Sequence, residues 1–304
     1  MRAQVRMVPT SLARNGAILA RRALLLHALP LATIVTPTCS FAASVDPFFD
    51  RLRARYILLR PGETTFEAAS IVDSNPINKQ NDGRGLTSTG RQQVYRTVEA
   101  LRARGIDSPH IFYDNGVRAS ETADIVAREL DIPRRDVDPE FRWLEARGYG
   151  ALDGTDLRTA VEQMRELDKL DIDSQAEGAE DGTPNDSVNE VFSRLRNTIA
   201  KIEQTYGSGD FLIIGGDDSV LSIFAAAACG ADLRDHSRFS LGPGEFWDLR
   251  ELVQDCKAGR FQERAVSWPS EDAVKRARAA LKDYGPRLFS DTEAGSCLCC
   301  SCAR

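Results

Sequence analysis

The sequence lacks any excess of positive charge. Lys and Arg number 39 against 45 Asp and Glu, which gives a net charge of -6 at pH 7. Nucleic-acid-binding proteins need basic surface to neutralise phosphates, and no long basic stripe follows the N-terminal segment. The composition therefore gives no support to nucleic-acid binding. With 42% apolar and 28% charged residues, the 304-residue chain has the composition of a soluble protein with one large α/β domain or two small ones.

The N-terminal segment lacks acidic side chains. No Asp or Glu precedes Asp46, whereas arginines are frequent there. A pair of arginines is followed by an apolar run over 23–35, which is too short to span a bilayer comfortably. Small residues at 40–43 suit a signal peptidase. We interpret residues 1–44 as a removable targeting segment, and no integral membrane segment is expected after processing.

The targeting segment has the composition of a two-part address. An acid-free leader ahead of twin arginines and an apolar run is typical of a chloroplast transit peptide followed by a thylakoid-lumen signal. A mitochondrial presequence and an export signal with a long basic region are the alternatives. The expected location is the chloroplast, with the thylakoid lumen favoured over the stroma.

Seven cysteines are spread unevenly along the chain. Cys39 falls in the targeting segment, Cys229 lies in an Ala-rich apolar stretch typical of a buried helix, and Cys256 is isolated in the sequence. The terminal segment 291–304 contains the other four, which are Cys297, Cys299, Cys300 and Cys302. Metal binding, acylation and a redox role are the functional alternatives for them. A disordered tail is the interpretation that we favour, because the segment has no His and no zinc-finger spacing.

Apolar runs alternate with amphipathic stretches over residues 45–290. Predicted strands cover 56–60, 110–113, 141–144, 211–214 and 246–249. Predicted helices open at Thr87 and at the capping box of Ser187 and Glu190, and others cover 118–130, 155–170, 219–229 and 270–284. This order predicts one α/β domain: a three-layer sandwich with a mostly parallel central sheet covered by helices on both faces. Ligands of such sheets bind at the carboxyl ends of the strands.

One acidic, Gly-containing stretch interrupts this order. Residues 171–186 follow a predicted helix and precede the next capping box. Such a stretch is typical of an exposed loop. It is the candidate surface for a protein partner.

Three segments at predicted strand or helix ends carry a family resemblance. They are Arg-Pro-Gly-Glu-Thr at 60–64, Gly-Leu-Thr-Ser-Thr-Gly-Arg-Gln-Gln at 85–93 and Arg-Ala-Ser-Glu-Thr-Ala at 118–123. These resemble the motifs of the histidine phosphatase (phosphoglycerate mutase-like) superfamily, over roughly residues 55–250. The stretch from Asp-Leu-Arg at 232–234 to Gly-Pro-Gly-Glu at 242–245 resembles plant and algal members that share the altered motifs. The resemblance implies that Arg60 and Arg118 bind phosphate. It also implies a pocket that includes Gly62, Glu63, Glu67 and Gly216.

The same resemblance implies that the catalytic residues are replaced. Pro61 stands at the position of the nucleophilic histidine, and a pyrrolidine ring cannot accept a phosphoryl group. Asp217 stands at the position of the second histidine. Ala146 stands at the position of the general acid, with Glu145 one place away. A shift of one residue usually aims a side chain at the opposite face, so Glu145 is a poor substitute.

The sequence leaves three functions open. The first is a pseudoenzyme, or a binder of a small phosphorylated or anionic ligand through Arg60 and Arg118. The second is a phosphomonoesterase in which Asp217 or Glu67 is the nucleophile or base. The third is a structural or assembly protein in which the loop 171–186 and the Cys-rich tail are the interaction surfaces. Ion pairs with Asp217 and Glu67 are the alternative to phosphate binding for the two arginines. No cofactor is expected, and a metal site is not predicted because the spacing of the acidic residues is unspecific.

Overall fold

A computed structural model of the chain describes residues 47–140 and 142–282. The targeting segment 1–44 and the Cys-rich tail 291–304 lie outside the described residues, so these assignments and their boundaries stay predictions. In the described part, no helix combines the length and the apolar character needed to cross a membrane.

A five-stranded sheet forms the centre of the fold. Its strands are β1 (Arg55–Leu59), β2 (His110–Asp114), β3 (Val137–Glu140), β4 (Asp210–Ile214) and β5 (Phe246–Asp248). They lie in the order β3-β2-β4-β1-β5, with β5 antiparallel to β1 and the other pairs parallel. In the central register, Ile213 of β4 pairs with Leu58 of β1 on one side and Phe112 of β2 on the other.

Helices connect the strands and cover the sheet. They are α1 (Pro47–Asp50), α2 (Thr65–Ala68), α3 (Ser88–Ala103), α4 (Val117–Glu129), α5 (Leu157–Leu170), α6 (Val188–Thr205), α7 (Asp218–Ala228), α8 (Leu249–Lys257) and α9 (Glu271–Lys282). A 3₁₀ segment, Leu233–Phe239, follows α7.

The strand β4 is buried on both faces of the sheet. Phe211 and Ile213 belong to the apolar cluster formed with α6, α7 and α8, whereas Leu212 and Ile214 belong to the cluster formed with α3 and α4. This alternation follows from the period of two in a strand. The predicted three-layer α/β sandwich with a mostly parallel sheet is confirmed.

Side chains at the helix N-termini fix where the helices begin. Ser187 and Glu190 form the predicted capping box at α6. Thr87 caps α3 by accepting a hydrogen bond from the Gly90 amide at 2.9 Å. Asp156 caps α5 in the same way, so α5 begins at Leu157 and not at residue 155 as predicted.

The strand predicted at 141–144 is wrong. The third strand is Val137–Glu140, and residues 142–144 form a bend. Leu144 is fully buried, but its carbonyl accepts a hydrogen bond from the Gly216 amide at 2.7 Å outside the sheet. The apolar character of this stretch therefore reflects packing, and the observed strand tolerates its proline because it lies at the edge of the sheet.

Cys256 is not isolated, contrary to the sequence-based expectation. It forms a disulfide with Cys229, which joins the end of α7 to α8 across 27 positions of sequence. Both residues are buried in the cluster that covers one face of the sheet. Sequence separation hid this pair because the two helices become neighbours only when the sheet forms.

The acidic loop 171–186 is mainly exposed, as the sequence predicted. Two of its residues are buried, Ala176 and Thr183. The Asn185 side chain donates to the Ala176 carbonyl at 3.0 Å, which closes the loop on itself. Its role as a partner surface stays a prediction.

Candidate functional site

Two cavities lie where the parallel strands end. The first, which we call the Arg60 cavity, has a volume of about 240 Å³ and lies after β1 and β4. Its polar base is formed by Arg60, Glu63, Glu67, Asp217, Asp218 and Ser219. The second, the Arg118 cavity, has a volume of about 180 Å³ and is lined by Lys79, Asp114, Arg118, Arg142, Glu145 and Arg194, among others.

Two glycines let the loop after β1 approach the start of α3. A Cβ on Gly62 would lie 2.3 Å from the Gly90 carbonyl oxygen, and a Cβ on Gly90 would lie 2.1 Å from the Glu63 carbonyl oxygen. Both clashes are with backbone and cannot be relieved by a side-chain rotation. The glycines of the 60–64 and 85–93 segments thus serve the contact that positions Arg60 and Glu63.

Glu63 is held in place by α3 and the loop before it. Its amide donates to Gln93 Oε1 at 2.9 Å, and its Oε1 accepts from the Thr87 hydroxyl at 2.7 Å. The carboxylate therefore faces the Arg60 cavity in a defined orientation.

Arg60 is already paired with a carboxylate. Its guanidinium donates to Glu67 Oε1 at 2.8 Å and also to the Leu241 carbonyl. Burial disfavours the charged form, but Glu67 and the nearby Asp218 outweigh it and raise the pKa of Arg60 above its ordinary value. Arg60 is therefore permanently charged, and the carboxylates of Glu67 and Asp218 neutralise much of its charge.

Glu67 has two structural roles. It is the third residue of α2 and closes a capping box in which its Oε2 accepts from the Thr64 amide at 2.9 Å. Burial raises the pKa of Glu67, but the charge and hydrogen bond of Arg60 lower it more, so the net shift is downward. With both oxygens engaged, Glu67 is an ionised structural partner of Arg60.

Arg118 lies on a different cavity from Arg60. It is the second residue of α4, and its guanidinium donates to the Asp73 carbonyl at 2.9 Å and lies 3.9 Å from the Asp73 carboxylate. Asp73 also pairs with Arg84. The two arginines expected to bind one phosphate are thus each engaged by a different carboxylate.

The ion pairs that the sequence suggested are found only in part. The Arg60–Glu67 pair is present. Asp217 forms no ion pair within 4.0 Å with either arginine among the described residues, and Arg118 has Asp73 as its partner. Asp73 lies 45 positions before Arg118, and no sequence signal connects them.

Asp217 is the N-cap of α7. Its Oδ1 accepts from the Val220 amide at 3.1 Å, while the carboxylate borders the Arg60 cavity. Burial raises the pKa of Asp217 to about 6, because it outweighs the Val220 hydrogen bond and the attraction of Arg118 and Arg60. Asp218 next to it accepts from the Leu241 amide at 2.6 Å.

Glu145 does not face Asp217. Its carboxylate pairs with Lys79 and lines the Arg118 cavity. Ala146 also lines the Arg118 cavity, and Gly216 passes so close to it that a Cβ on Gly216 would be 2.2 Å from the Ala146 amide nitrogen. The structure therefore brings Asp217, Glu63 and Glu67 together with Arg60 and places Glu145 apart from them.

Sequence reasoning missed a buried polar network on the wall of the Arg60 cavity. Arg147 binds Asp168 through two hydrogen bonds of 2.8 and 2.7 Å. His236 Nε2 lies 3.0 Å from Asp168 Oδ2, and His236 Nδ1 lies 2.9 Å from the Ser222 hydroxyl. The four residues come from α5, α7, the 3₁₀ segment and the loop before α5, so no local motif could have revealed them.

The other histidine of the described chain lies elsewhere. His110 is the first residue of β2, at the amino ends of the parallel strands, whereas the cavities lie at the carboxyl ends. Its ring stacks on Phe112 with a centroid distance of 4.7 Å. Its Nε2 lies 2.7 Å from Asp138 Oδ2. Among the described residues, no group of three or more His, Cys, Asp or Glu side chains is arranged to hold a metal ion.

The fold and the position of these residues define an α/β protein with two cavities at the carboxyl ends of its parallel strands. The chain belongs to the histidine phosphatase superfamily (branch 1), whose sequence model matches residues 56–262. The resemblance noted in the sequence is thereby confirmed at the level of the family.

Individual relatives are distant. A segment of 86 residues is 36% identical to the mitochondrial serine/threonine-protein phosphatase Pgam5 of Drosophila grimshawi, and it covers 28% of this chain and 26% of that relative. A solved structure described as mycobacterial hydrolase 1 has a TM-score of 0.50 at 17% identity, over 64% of this chain and 89% of that one. A mycobacterial glucosyl-3-phosphoglycerate phosphatase in complex with VO3 has a TM-score of 0.49 at 17% identity, over 64% and 90% of the two chains. At 17% identity, the likeness to mycobacterial hydrolase 1 shows a shared fold and nothing more.

Proposed function

We propose that this protein is a histidine phosphatase superfamily member that has lost phosphohistidine catalysis and binds a small phosphorylated or anionic ligand in the Arg60 cavity. The main observation behind the proposal is that His236, the one described histidine lining this cavity, has both ring nitrogens engaged. Both ring nitrogens of His236 lie within hydrogen-bond distance of protein groups, and the residue is 5% exposed. A nucleophilic imidazole needs a free nitrogen facing the substrate.

The position of Pro61 supports the same conclusion. It follows Arg60 directly, is buried, and its carbonyl accepts from the Gly244 amide at 3.0 Å. A proline here fixes the turn and supplies no nucleophile. Loss of a covalent nucleophile alone lowers the rate by on the order of 10⁴–10⁶.

Arg60 is the proposed anion contact, and its pairing sets the affinity. An anionic ligand competes with Glu67 for the guanidinium and meets the carboxylates of Asp217 and Asp218 nearby. This favours weak binding of a dianion and stronger binding of a ligand with additional contacts. Arg118 contributes at longer range, since its charge lowers the pKa of both Glu67 and Asp217.

Calorimetric titration of the full chain with methylphosphonate tests the binding, with Arg60→Gln as the variant. Arg250→Gln is the matched control, because Arg250 is exposed on α8. The expected result is weak binding that Arg60→Gln lowers at least tenfold and the control leaves unchanged. Turnover of p-nitrophenyl phosphate with a phosphorylated enzyme intermediate would contradict the loss of phosphohistidine catalysis.

A second candidate function is a phosphomonoesterase that uses Asp217 as a general base. Two observations favour Asp217 over Glu67: Asp217 borders the cavity with one carboxylate oxygen bound to an amide, and its pKa is raised to about 6. A base with this pKa is ionised at neutral pH and accepts a proton from an attacking water. Glu67 is the weaker candidate for the base, because Arg60 and Thr64 engage both its oxygens.

The pH dependence of p-nitrophenyl phosphate hydrolysis tests this candidate. If Asp217 is the base, the rate increases as pH rises through about 6, and Asp217→Asn abolishes the increase. A rate equal to that of a heat-denatured sample at every pH would exclude the candidate.

The Cys229–Cys256 disulfide supports an oxidising compartment for the protein. Structural disulfides persist in exported and lumenal proteins and are rare where glutathione keeps thiols reduced. We therefore favour the thylakoid lumen or an exported location over the stroma and the mitochondrial matrix. Alkylation of the protein extracted from its source, with and without prior reduction, tests this: a protected Cys229–Cys256 pair is expected.

A further inference from the structure

One wall of the Arg60 cavity is apolar and comes from α5. Leu157, Val161 and Met164 are spaced by four and three residues, so they share one face of the helix, and all three line the cavity. Met164 is 2% exposed, and it packs with Tyr149 in a separate apolar cluster beside α5. Leu157 and Val161, which are less buried than Met164, offer a ligand an apolar contact area beside the polar Arg165 and Asp168 of the same helix.

A second apolar part of the lining comes from a segment beyond the family match, next to α5. Residues 265–269, which we call the strap, follow the matched range 56–262 and precede α9. Val266, Trp268 and Pro269 of the strap line the Arg60 cavity, and Trp268 is half-buried. An indole ring supplies a large, flat apolar face at little loss of conformational entropy.

The strap is fixed at both ends. Before it, the guanidinium of Arg264 lies 3.7 Å from the ring centroid of Trp247 and 3.2 Å from a Glu245 carboxylate oxygen. After it, Arg278 of α9 donates to the Ala69 carbonyl at 2.8 Å and to the Ser70 carbonyl at 3.1 Å. The chain between these anchors is therefore held over the cavity and completes its wall.

We propose that the Arg60 cavity takes a ligand in which an anionic head is joined to a flat apolar body, and that Trp268 is the residue that selects the body. The head lies at Arg60, and the body lies against Trp268 and the apolar side chains of α5. This inference rests on the proposed function, because it takes the anion contact at Arg60 as given. The class of ligand is an aryl or similarly flat apolar phosphate, phosphonate or carboxylate.

The physical reason lies in how the polar base is occupied. Arg60 is paired with Glu67, so the head alone gains little on binding. Burial of an aromatic ring against these apolar side chains adds affinity in proportion to the area removed from water, on the order of 25 cal/mol per Å². A ring-bearing ligand therefore binds much more tightly than its head group alone.

A matched pair of probes separates head from body: 1-naphthylphosphonate and methylphosphonate, neither of which a phosphatase can hydrolyse. Titration of the full chain is expected to show at least tenfold tighter binding of the naphthyl probe. Trp268→Ala lowers the affinity for the naphthyl probe about tenfold and leaves methylphosphonate unchanged, and Trp268→Phe restores most of the loss. Trp143→Ala is the control, since Trp143 is 39% exposed and lines neither cavity.

Several outcomes overturn the inference. Equal affinities for the two probes, or a naphthyl affinity that Trp268→Ala does not change, would mean that the walls contact no ligand body. Tighter binding of both probes to Trp268→Ala would mean that the indole plugs the cavity. If Trp268→Ala weakens naphthyl binding while Arg60→Gln changes neither probe, the apolar site stands and the proposed anion contact at Arg60 fails. If the wild type binds both probes with equal affinity and Arg60→Gln weakens the binding of both, the anion contact at Arg60 stands and the apolar site fails.

Discussion

Asp168 is the residue on which the wall of the Arg60 cavity depends. Its carboxylate accepts two hydrogen bonds from Arg147 and faces His236, and the Arg147 and Asp168 side chains are each 1% exposed. Burial raises the pKa of Asp168, but the hydrogen bonds from Arg147 and His236 lower it more. The pair is thus charged at neutral pH and fully removed from water. Removing one member leaves the other as an uncompensated buried charge.

We expect Asp168→Asn to lower the free energy of unfolding by about 3–5 kcal/mol at pH 7. Because the folded-state pKa of Asp168 is below its unfolded value, its stabilisation is present at neutral pH and is lost as pH falls below about 4. Urea denaturation at pH 7 and at pH 3 measures both effects. Asp171→Asn, at an exposed position three residues further on, is the control and is expected to change little. An equal difference between Asp168→Asn and wild type at the two pH values would contradict this account.

The pKa of Asp217 is shifted in the opposite direction to that of Asp168, so its effect on stability has the opposite pH dependence. Its folded-state pKa of about 6 lies above the ordinary value, so the folded state holds the proton more strongly than the unfolded state. At pH values below the ordinary pKa of an aspartate, the carboxyl is protonated in both states and does not destabilise the fold. As pH rises through about 6, the buried carboxyl ionises and the fold loses stability.

Asp217→Asn is therefore expected to gain stability relative to wild type between pH 4 and pH 8, by on the order of 2 kcal/mol. Asn is as good an N-cap as Asp, so the cap of α7 is retained. Denaturation at the two pH values measures the change. A stability difference that does not depend on pH would show that Asp217 is not the buried acid described here.

At the scale of elements, the sheet and most helices follow from local pattern. The continuous apolar run Phe211–Ile214 predicted a covered strand, and Ser187 with Glu190 predicted the start of α6. The strand Val137–Glu140 was missed because its pairing with β2 outweighs a sequence that reads as a turn. Local pattern captures structure that is fixed within a few residues of the chain.

The candidate site was predictable only where it follows strand ends. Arg60, Glu63 and Asp217 come directly after β1 and β4, so topology alone brings them to one edge. The pairing of Arg118 with Asp73, and the contact of Asp168 with His236, join elements distant in sequence. A charge pattern in a single sequence does not specify such partners, since several carboxylates compete for each arginine.

The disulfide between the end of α7 and α8 is the strongest link between elements on its face of the sheet. A bond that closes a loop of this length stabilises a fold by about 2–4 kcal/mol. We expect dithiothreitol to lower the free energy of unfolding of the wild type by this amount. The Cys229→Ala/Cys256→Ala variant is the control: it should match the reduced wild type and show no response to the reductant. Equal stability of the reduced and oxidised wild type would mean that the bond does not form.

At the scale of the whole molecule, the last described helix packs against the segment that follows the first strand. The helix α9 lies against α2, where Leu281 is buried beside Phe66 and Arg278 bonds the carbonyls that end α2. Since α2 carries Glu67, the last described helix contacts the element that holds the partner of Arg60. This contact holds the end of the strap next to the cavity, although α9 itself does not line it.

Loss of the contact between α9 and α2 should therefore increase the mobility of the strap before it lowers the stability of the core. We expect Arg278→Ala to increase the rate of tryptic cleavage at Arg264 several-fold, because the strap gains freedom while the sheet keeps its covering helices. The same variant is expected to lose part of the affinity for 1-naphthylphosphonate and to keep that for methylphosphonate. Lys275→Ala is the matched control, since Lys275 is an exposed residue of the same helix, and it should resemble wild type in both measurements. Unchanged cleavage with a large loss of global stability would instead make α9 part of the cooperative core, because a strap that opens only when the whole domain unfolds cannot be loosened by one anchor.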